Sequence, residues 1–139
     1  MTGGREGPVD DYLSRHMADA AKDLLGELAK IFPGKLYVEL QRHGDEISQR
    51  TVPMLVDFAY DLDLPLVATN EPYFMSPDLA EAHDALLCIS QGAVIDQQDR
   101  RRLTPEHYFK SSTEMTQLFN DLPEAIENTI EIAQRCAYV

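Results

Sequence analysis

Two polar side chains stand just after the two most strand-like stretches of the chain. His43 follows residues 36–40, in which apolar and polar side chains alternate. Glu71 follows residues 65–69, which are apolar on both faces. Ligands of α/β proteins collect at the carboxyl ends of parallel strands, so both are candidate metal ligands or an acid–base pair. The competing interpretation is that both are ordinary polar loop residues.

One histidine and one carboxylate are too few for a hydrolytic metal centre. Such a centre needs three or more protein ligands, and a two-metal site needs more. His16 and His83 lie in helical stretches and His107 lies in a later predicted helical turn, where surface or packing roles are expected. The residues alone therefore predict no complete metal site, with Glu71 and His43 as weak candidates.

Motifs for phosphate binding or nucleophilic catalysis are missing from the sequence. Gly3 and Gly4 are followed by Arg-Glu-Gly-Pro, without the Lys and Ser/Thr that cradle phosphates. No serine or cysteine stands in a nucleophile elbow. Cys88 and Cys136 are far apart and lie in apolar helical patterns, so we predict two small buried side chains and no disulfide.

The negative charge of the chain argues against direct binding of nucleic acid. With 139 residues it fits one domain or part of a larger one, and its net charge is −12. Binding a phosphate backbone needs clustered Lys and Arg. The one basic run, Arg100–Arg102, reads as a solvated loop or as a local contact with nucleic acid or a neighbouring domain. No apolar run is long enough to span a bilayer and no secretory signal is apparent, so the expected compartment is the cytoplasm.

The first half of the chain predicts a helix, a strand and a second helix. Residues 1–9 read as loop, and Asp10 or Asp11 is expected to cap a helix that ends at residues 32–34. After the strand at 36–40, a helix is predicted over residues 46–62. Its Pro53 implies that the regular helix begins near Val52 or is kinked there.

A strand–helix–strand unit follows from this order, because residues 65–69 predict a second strand. Its crossover is expected to be right-handed. Two parallel strands leave open sheet edges, so the chain is expected to be a fragment of a larger barrel or sheet, or to pair with a second copy of itself.

The remainder predicts helices. Ser76 and Pro77 open one; Thr104 and Pro105 open a short helical turn. Ser111 or Ser112 is expected to cap the next helix, and residues 121–124 open the last. The side chains expected to face inward are Leu79, Ala82, Leu86 and Ile89 in the first of these helices, and Ile126, Ile130 and Ala133 in the last.

Three strings resemble the alpha subunit of bacterial DNA polymerase III. They are LYVELQRHG (residues 36–44), LPLVATNEPYFMSPDLAEAHDALLCI (64–89) and FKSSTEMTQLFNDLPEAIENTIEIAQRC (109–136). The opening TGGREGPV resembles an earlier loop of that family. The resemblance covers nearly the whole chain in the expected order, and the second and third strings together are specific.

The resemblance implies a fold and a damaged site. The fold would be α/β: the C-terminal part of a PHP-type distorted β/α barrel over residues 1–92, followed by an all-helical connector towards the polymerase palm over 93–139. Family members with an intact site carry Asp-x-His where this chain has Glu71 and Tyr73, and a cysteine where it has Gly4. A neutral tyrosine is a poor metal ligand, so a degenerate site with a structural role is implied.

The implied function is that of a non-catalytic scaffold within a DNA-directed DNA polymerase. No catalytic residue and no cofactor are expected here, whereas the parent polymerase would use Mg²⁺. Expected partners are the polymerase core of the same chain, a proofreading exonuclease subunit and other replicase subunits, without direct nucleic-acid or membrane binding. The alternatives are part of a metal-dependent phosphoesterase or proofreading nuclease, and an independent helical interaction module.

Overall fold

The computed structural model describes residues 7–137, as six helices and two short strands within that range. Gly4 lies outside the described residues. The predicted domain boundary after residue 92 stays a prediction. In chain order the elements are α1 (Pro8–Ser14), α2 (Ala18–Ile31), β1 (Val38–Leu40), α3 (Glu46–Asp61), β2 (Leu66–Ala68), a 3₁₀ turn (Pro77–Leu79), α4 (Ala80–Gln91), α5 (Ser112–Leu118) and α6 (Pro123–Arg135).

The two strands pair in parallel, with Val38 opposite Leu66 and Leu40 opposite Ala68. All six strand residues are buried, as expected for a parallel sheet covered on both faces. The predicted strand–helix–strand unit is thus confirmed, and the fold class is mixed α/β with mostly helical content. The larger PHP-type barrel stays a prediction. Over residues 7–137, no helix combines the length and apolar character required to cross a membrane.

Helix α3 continues without a break through Pro53. It begins earlier than the proline alone suggested because the Asp45 carboxylate accepts a hydrogen bond from Ser48 N (3.0 Å) and caps its first turn. Leu55 and Ala59 are buried in the core, while Met54 and Phe58 are only partly buried against it.

The single N-terminal helix expected from the sequence is wrong. Two helices are present, and the chain reverses between them at His16, which has a φ of 61°; histidine tolerates this left-handed conformation better than most residues. Asp10 does not cap a helix. It lies inside α1 and is buried, with Val9 and Leu13, because α1 begins at Pro8, a residue suited to a first helical turn.

Helix α6 packs on β2, and its Asn128 Nδ2 donates to the carbonyl of Leu66 (2.8 Å). Ala125 is buried, but Ile130 is exposed, as is Ala133. The expectation that Ile130 and Ala133 face inward is therefore wrong. In the C-terminal half of the helix, Arg135 Nη1 donates to the Tyr37 hydroxyl (2.8 Å), so this half is anchored by a polar contact while Ile130 remains exposed.

Residues 75–107 form an excursion that leaves the fold and returns to the same place. At its neck, Tyr73 N donates to the carbonyl of His107 (2.9 Å), and Phe109 N donates to the carbonyl of Phe74 (2.9 Å). Phe74 and Tyr108 form an isolated parallel bridge. The segment that follows β2 and the returning segment are thereby held together.

Helix α4 lies in this excursion and exposes the apolar stripe that was expected to be buried. Leu86 is 62% exposed and Ile89 is 77% exposed, and Leu79 is exposed as well. The buried residue of α4 is Cys88. The cause is that no element of the described residues packs against the predicted inner face.

The basic run is not simply a solvated loop. Arg100 forms an ion pair with Asp84 of α4 (2.5 Å), and the Arg100 side chain is nearly inaccessible. The prediction of a solvated loop is wrong for this residue, whereas Arg101 and Arg102 are exposed. Both cysteines are free as predicted, but Cys136 is exposed rather than buried.

Candidate metal centre

His43 is buried at the carboxyl end of β1. It is 4% exposed, and neither of its ring nitrogens has a hydrogen-bond partner. The chain turns sharply after it through Gly44, whose φ of 71° favours glycine. Buried polar atoms are normally paired, so burial of this imidazole carries an uncompensated desolvation cost.

His107 stacks on His43, with ring centroids 3.8 Å apart and an interplanar angle of 16°. It comes from the returning end of the excursion and is 3% exposed. Its Nδ1 lies 3.2 Å from the carbonyl of Thr104. A carbonyl can only accept, so this contact assigns the hydrogen to Nδ1 and leaves the lone pair on Nε2.

Thr104 joins the two histidines. Its Oγ1 donates to the carbonyl of His43 (2.7 Å) and lies 3.1 Å from Nδ1 of His107. One hydroxyl therefore fixes the end of the first strand and the orientation of the second ring, although 61 residues separate Thr104 from His43.

Glu71 and Tyr73 follow β2 and are hydrogen-bonded to each other. The Tyr73 hydroxyl donates to Glu71 Oε1 (2.5 Å) and accepts from Arg101 Nη2 (3.0 Å). The hydrogen bond to Glu71 is the main cause of a raised pKa of Tyr73. The phenol therefore keeps its proton and holds the carboxylate in place, so Tyr73 orients Glu71 and does not itself serve as a ligand.

His43, Glu71 and His107 lie close together. Each offers one ligand atom, and these atoms all lie within 4.8 Å of one another. Two imidazole nitrogens and a carboxylate oxygen are a donor set that zinc and related divalent metals accept. The donor types match such an ion, but the two rings are stacked nearly parallel, so one ring would have to turn before both lone pairs could face the same ion.

The two rings are held neutral. Burial, followed by the nearby charges of His107 and Lys110, lowers the pKa of His43 to about 4. Burial is also the largest cause of the lowered pKa of His107. Both rings are therefore neutral near neutral pH.

A buried carboxylate pair shares a small cavity with His43. Asp10 and Glu39 line a cavity of about 20 Å³, together with Thr51 and Leu55. Burial, and then repulsion by Glu39, raise the pKa of Asp10 to about 6. Glu39 Oε1 accepts a hydrogen bond from the Thr69 hydroxyl (2.7 Å). This pair is internal, and it gives the sheet side of the fold a pH-sensitive carboxylate.

The structure brings His43 and Glu71 together as the strand-end rule predicted. The residue that sequence reasoning missed is His107, which was expected to serve a surface or packing role. It does pack, against the other candidate histidine. His107 lies 36 residues beyond Glu71 and belongs to no recognisable motif. It reaches the site because the excursion returns there, and no local sequence pattern predicts that return.

Parallel strands joined by a helical crossover, with ligand-type side chains at their carboxyl ends, define an α/β unit that carries a candidate site. Comparison with known proteins is more specific. The chain is 51% identical over all 139 residues to the DNA polymerase III subunit alpha of Caulobacter vibrioides. It is 38% identical over 133 residues to that of Rickettsia bellii, and 38% identical over 137 residues to that of Pseudomonas aeruginosa. These matches cover 100%, 96% and 98% of the chain.

The chain is therefore recognised as a member of the DNA polymerase III alpha subunit family, and it corresponds to one segment of those proteins. It spans 12%, 11% and 12% of the length of the three relatives just named. No protein-family model matches the chain. The resemblance drawn from its sequence strings is confirmed, while the role of this segment within the relatives is a separate question.

Proposed function

We propose that the chain is a non-catalytic scaffold segment of a replicative DNA polymerase alpha subunit. The observation that carries this proposal is the match along the whole chain to a small part of much longer polymerase subunits. The parent protein would perform template-directed DNA synthesis in the cytoplasm with Mg²⁺. This segment would supply packing surface and no reacting group.

The strand-end residues support a scaffold role. The family resemblance places an Asp-x-His pair at Glu71 and Tyr73. Here the Tyr73 hydroxyl hydrogen-bonds Glu71 (2.5 Å), and Arg101 in turn bonds that hydroxyl. These contacts tie the loop to the basic segment of the excursion, so the residues strengthen the structure of the loop.

The surface suits contacts with protein better than contacts with DNA. Net charge is −12, and apolar side chains of α4 are exposed. We propose the polymerase core of the parent chain as the principal partner, with a proofreading exonuclease subunit and other replicase subunits as further ones. Direct nucleic-acid binding by this segment is not proposed, because phosphate contacts require clustered cations.

Glu71→Ala in the full-length parent polypeptide tests the scaffold assignment. We expect primer extension to remain within about twofold of wild type. A tenfold loss, about 1.4 kcal/mol in barrier, would show that this loop does chemistry or positions a group that does. Glu81→Ala, at an exposed position of α4, is the matched control for removing a carboxylate.

A second candidate function is metal-dependent phosphoester hydrolysis or proofreading, and the proximity of His43, Glu71 and His107 favours it. An open coordination position could activate a water molecule. The assay is hydrolysis of a phosphodiester or of a mismatched primer end by the full-length parent, with Zn²⁺, Mn²⁺ or Mg²⁺ added. Hydrolysis that disappears in His107→Gln would replace the scaffold assignment.

A further inference from the structure

We propose that the exposed apolar side of α4 is the docking surface for one amphipathic helix from the part of the parent polypeptide that lies outside residues 1–139. We call this surface the α4 seam, and its four members are Leu79, Ala82, Leu86 and Ile89. The inference rests on the proposed function, because it takes the parent chain as the source of the helix. It deepens that function by naming the surface through which this segment is held.

The exposed apolar side chains of the fold are concentrated in the excursion. Of the thirteen large apolar side chains that are exposed in residues 7–137, six lie between Met75 and Ile95. Leu79, Leu86 and Ile89 are among these six, and Ala82 is exposed as well. Single exposed apolar residues are ordinary, but a contiguous apolar patch marks a surface that another element covers.

The spacing of the α4 seam matches a second helix. Successive members are three, four and three residues apart, which places them in one line along the helix. Apolar residues at alternating intervals of three and four form the line along which two helices pack. At a rise of about 1.5 Å per residue the seam is about 15 Å long, so about three turns of a partner helix would cover it.

The opposite side of α4 is already packed within the excursion. Arg100 donates to both carboxylate oxygens of Asp84 (2.5 and 2.6 Å) and to the carbonyl of Ile95 (3.0 Å). Cys88, one turn beyond Asp84 on the same side, is buried. These contacts fix α4 to the rest of the excursion, so the seam lies on a helix whose other side is held in place.

The charges beside the seam favour a partner helix with a basic flank. Asp78 and Glu81 are exposed on one side of the seam, near its start. The basic run at residues 100–102 adjoins Asp84 on the opposite side of the helix. A partner helix that places Lys or Arg near Asp78 and Glu81 is therefore favoured, and this complementarity sets its direction along the seam.

The size of the seam favours a helix of the same polypeptide over a separate molecule. A seam of about 15 Å and a helix about 10 Å wide give a footprint of roughly 150 Å², whereas stable complexes bury about 800 Å² on each partner. A tethered helix needs less area, because the connecting chain raises its effective concentration to about the millimolar range. The polypeptide that would supply it is long, since the chain spans 12% of the Caulobacter vibrioides relative and 11% of the Rickettsia bellii relative.

The test is maleimide labelling of cysteine variants of the full-length parent, with the labelling rate of each peptide measured by mass spectrometry. Ile89→Cys and Leu86→Cys should react at least tenfold more slowly than Gln91→Cys, because a helix covers the first two positions. Gln91 is the matched control, since it is exposed and lies on the opposite side of the same helix. Native Cys136, which is exposed, is replaced by serine in every variant.

Three results would overturn the inference. Equal labelling rates of Ile89→Cys and Gln91→Cys in the parent alone would show that no helix covers one side of α4. Protection of Ile89→Cys that grows with the concentration of the parent would assign the seam to a second copy. Protection that appears only after other replicase subunits are added would assign it to a separate protein.

The labelling experiment is separate from the test of the scaffold assignment. Loss of primer extension in Glu71→Ala would overturn the scaffold assignment and leave the labelling rates at α4 unchanged. Fast labelling of Ile89→Cys with normal primer extension in Glu71→Ala would overturn the docking surface alone.

Discussion

Helices α3 and α4 both carry an apolar stripe, but the two helices lie in different surroundings. Helix α3 lies between two strands, is capped by Asp45 and buries Leu55 against the sheet layer. Helix α4 lies in the excursion, enters through a 3₁₀ turn without a side-chain cap and exposes Leu86 and Ile89. An amphipathic pattern identifies a helix and its apolar face, but the neighbouring elements decide whether that face is covered.

The largest expected effect is the loss of a buried apolar side chain from α3. Leu55→Ala should lower the free energy of unfolding by about 2–5 kcal/mol, because it leaves a cavity in a packed core. Equilibrium urea unfolding followed by circular dichroism measures this change. A loss below about 1 kcal/mol would mean that α3 is no better packed than α4.

The core around α3 also contains a destabilising group, the buried carboxylate of Asp10. Its raised pKa, about 6, means that the folded state holds the proton more tightly than the unfolded state. The stability contribution is full below about pH 4 and is lost as pH rises through 6. Asp10→Asn imitates the protonated acid and should stabilise the fold by roughly 2–3 kcal/mol at pH 7, with little change at pH 4.

The comparison of Asp10→Asn with wild type should be made as a difference at each pH. His43, whose pKa is lowered to about 4, acts oppositely, since its contribution is lost as pH falls below its ordinary pKa near 6.5. Subtracting the two unfolding curves removes the His43 contribution. Asp57→Asn, on the exposed side of α3, is the control. An equal gain in that variant would refute the role of burial.

The caps of the two segments should differ by a smaller amount. Asp45→Ala removes an acceptor for Ser48 N and should cost about 1 kcal/mol. Ser76→Ala should cost little, because Ser76 makes no side-chain cap hydrogen bond at the 3₁₀ turn that precedes α4. Urea unfolding of both variants checks the contrast, and equal losses would contradict it.

The smallest effect is expected at Ile89. Ile89→Ala should change the unfolding free energy by less than about 0.5 kcal/mol, as surface substitutions do. Light scattering at low and high concentration should accompany the measurement. A larger loss that appears only at high concentration would show that copies of the chain cover this face.

The strand–helix–strand unit was predictable because local patterns determine it. Alternation at residues 36–40, the apolar run at 65–69 and a periodic helix between them fit one topology. The break between α1 and α2 at His16 was not predictable, since the spacing of apolar residues is helical on both sides of it. Only the packing of α1 shows that two helices are present. The buried stripe expected for α4 failed for the same reason: burial depends on elements distant in sequence.

Only part of the candidate site could be predicted from the sequence. The strand-end rule located His43 and Glu71, because topology alone sets their position. His107 could not be found this way, since it depends on where a long excursion returns. The burial of Arg100 was missed for a similar reason. Its ion pair with Asp84 joins residues that are separated by a turn, and the sequence of that turn shows only that it is polar.

The neck of that excursion bears on how this part of the protein can vary in length. Tyr73 and Phe74 meet His107 and Phe109 through main-chain hydrogen bonds, so the segment between them is a closed loop anchored at one place. Each doubling of such a loop costs only about 0.6 kcal/mol in closure entropy. Residues could be gained or lost between Phe74 and His107 without altering the strand register, provided that the neck still closes.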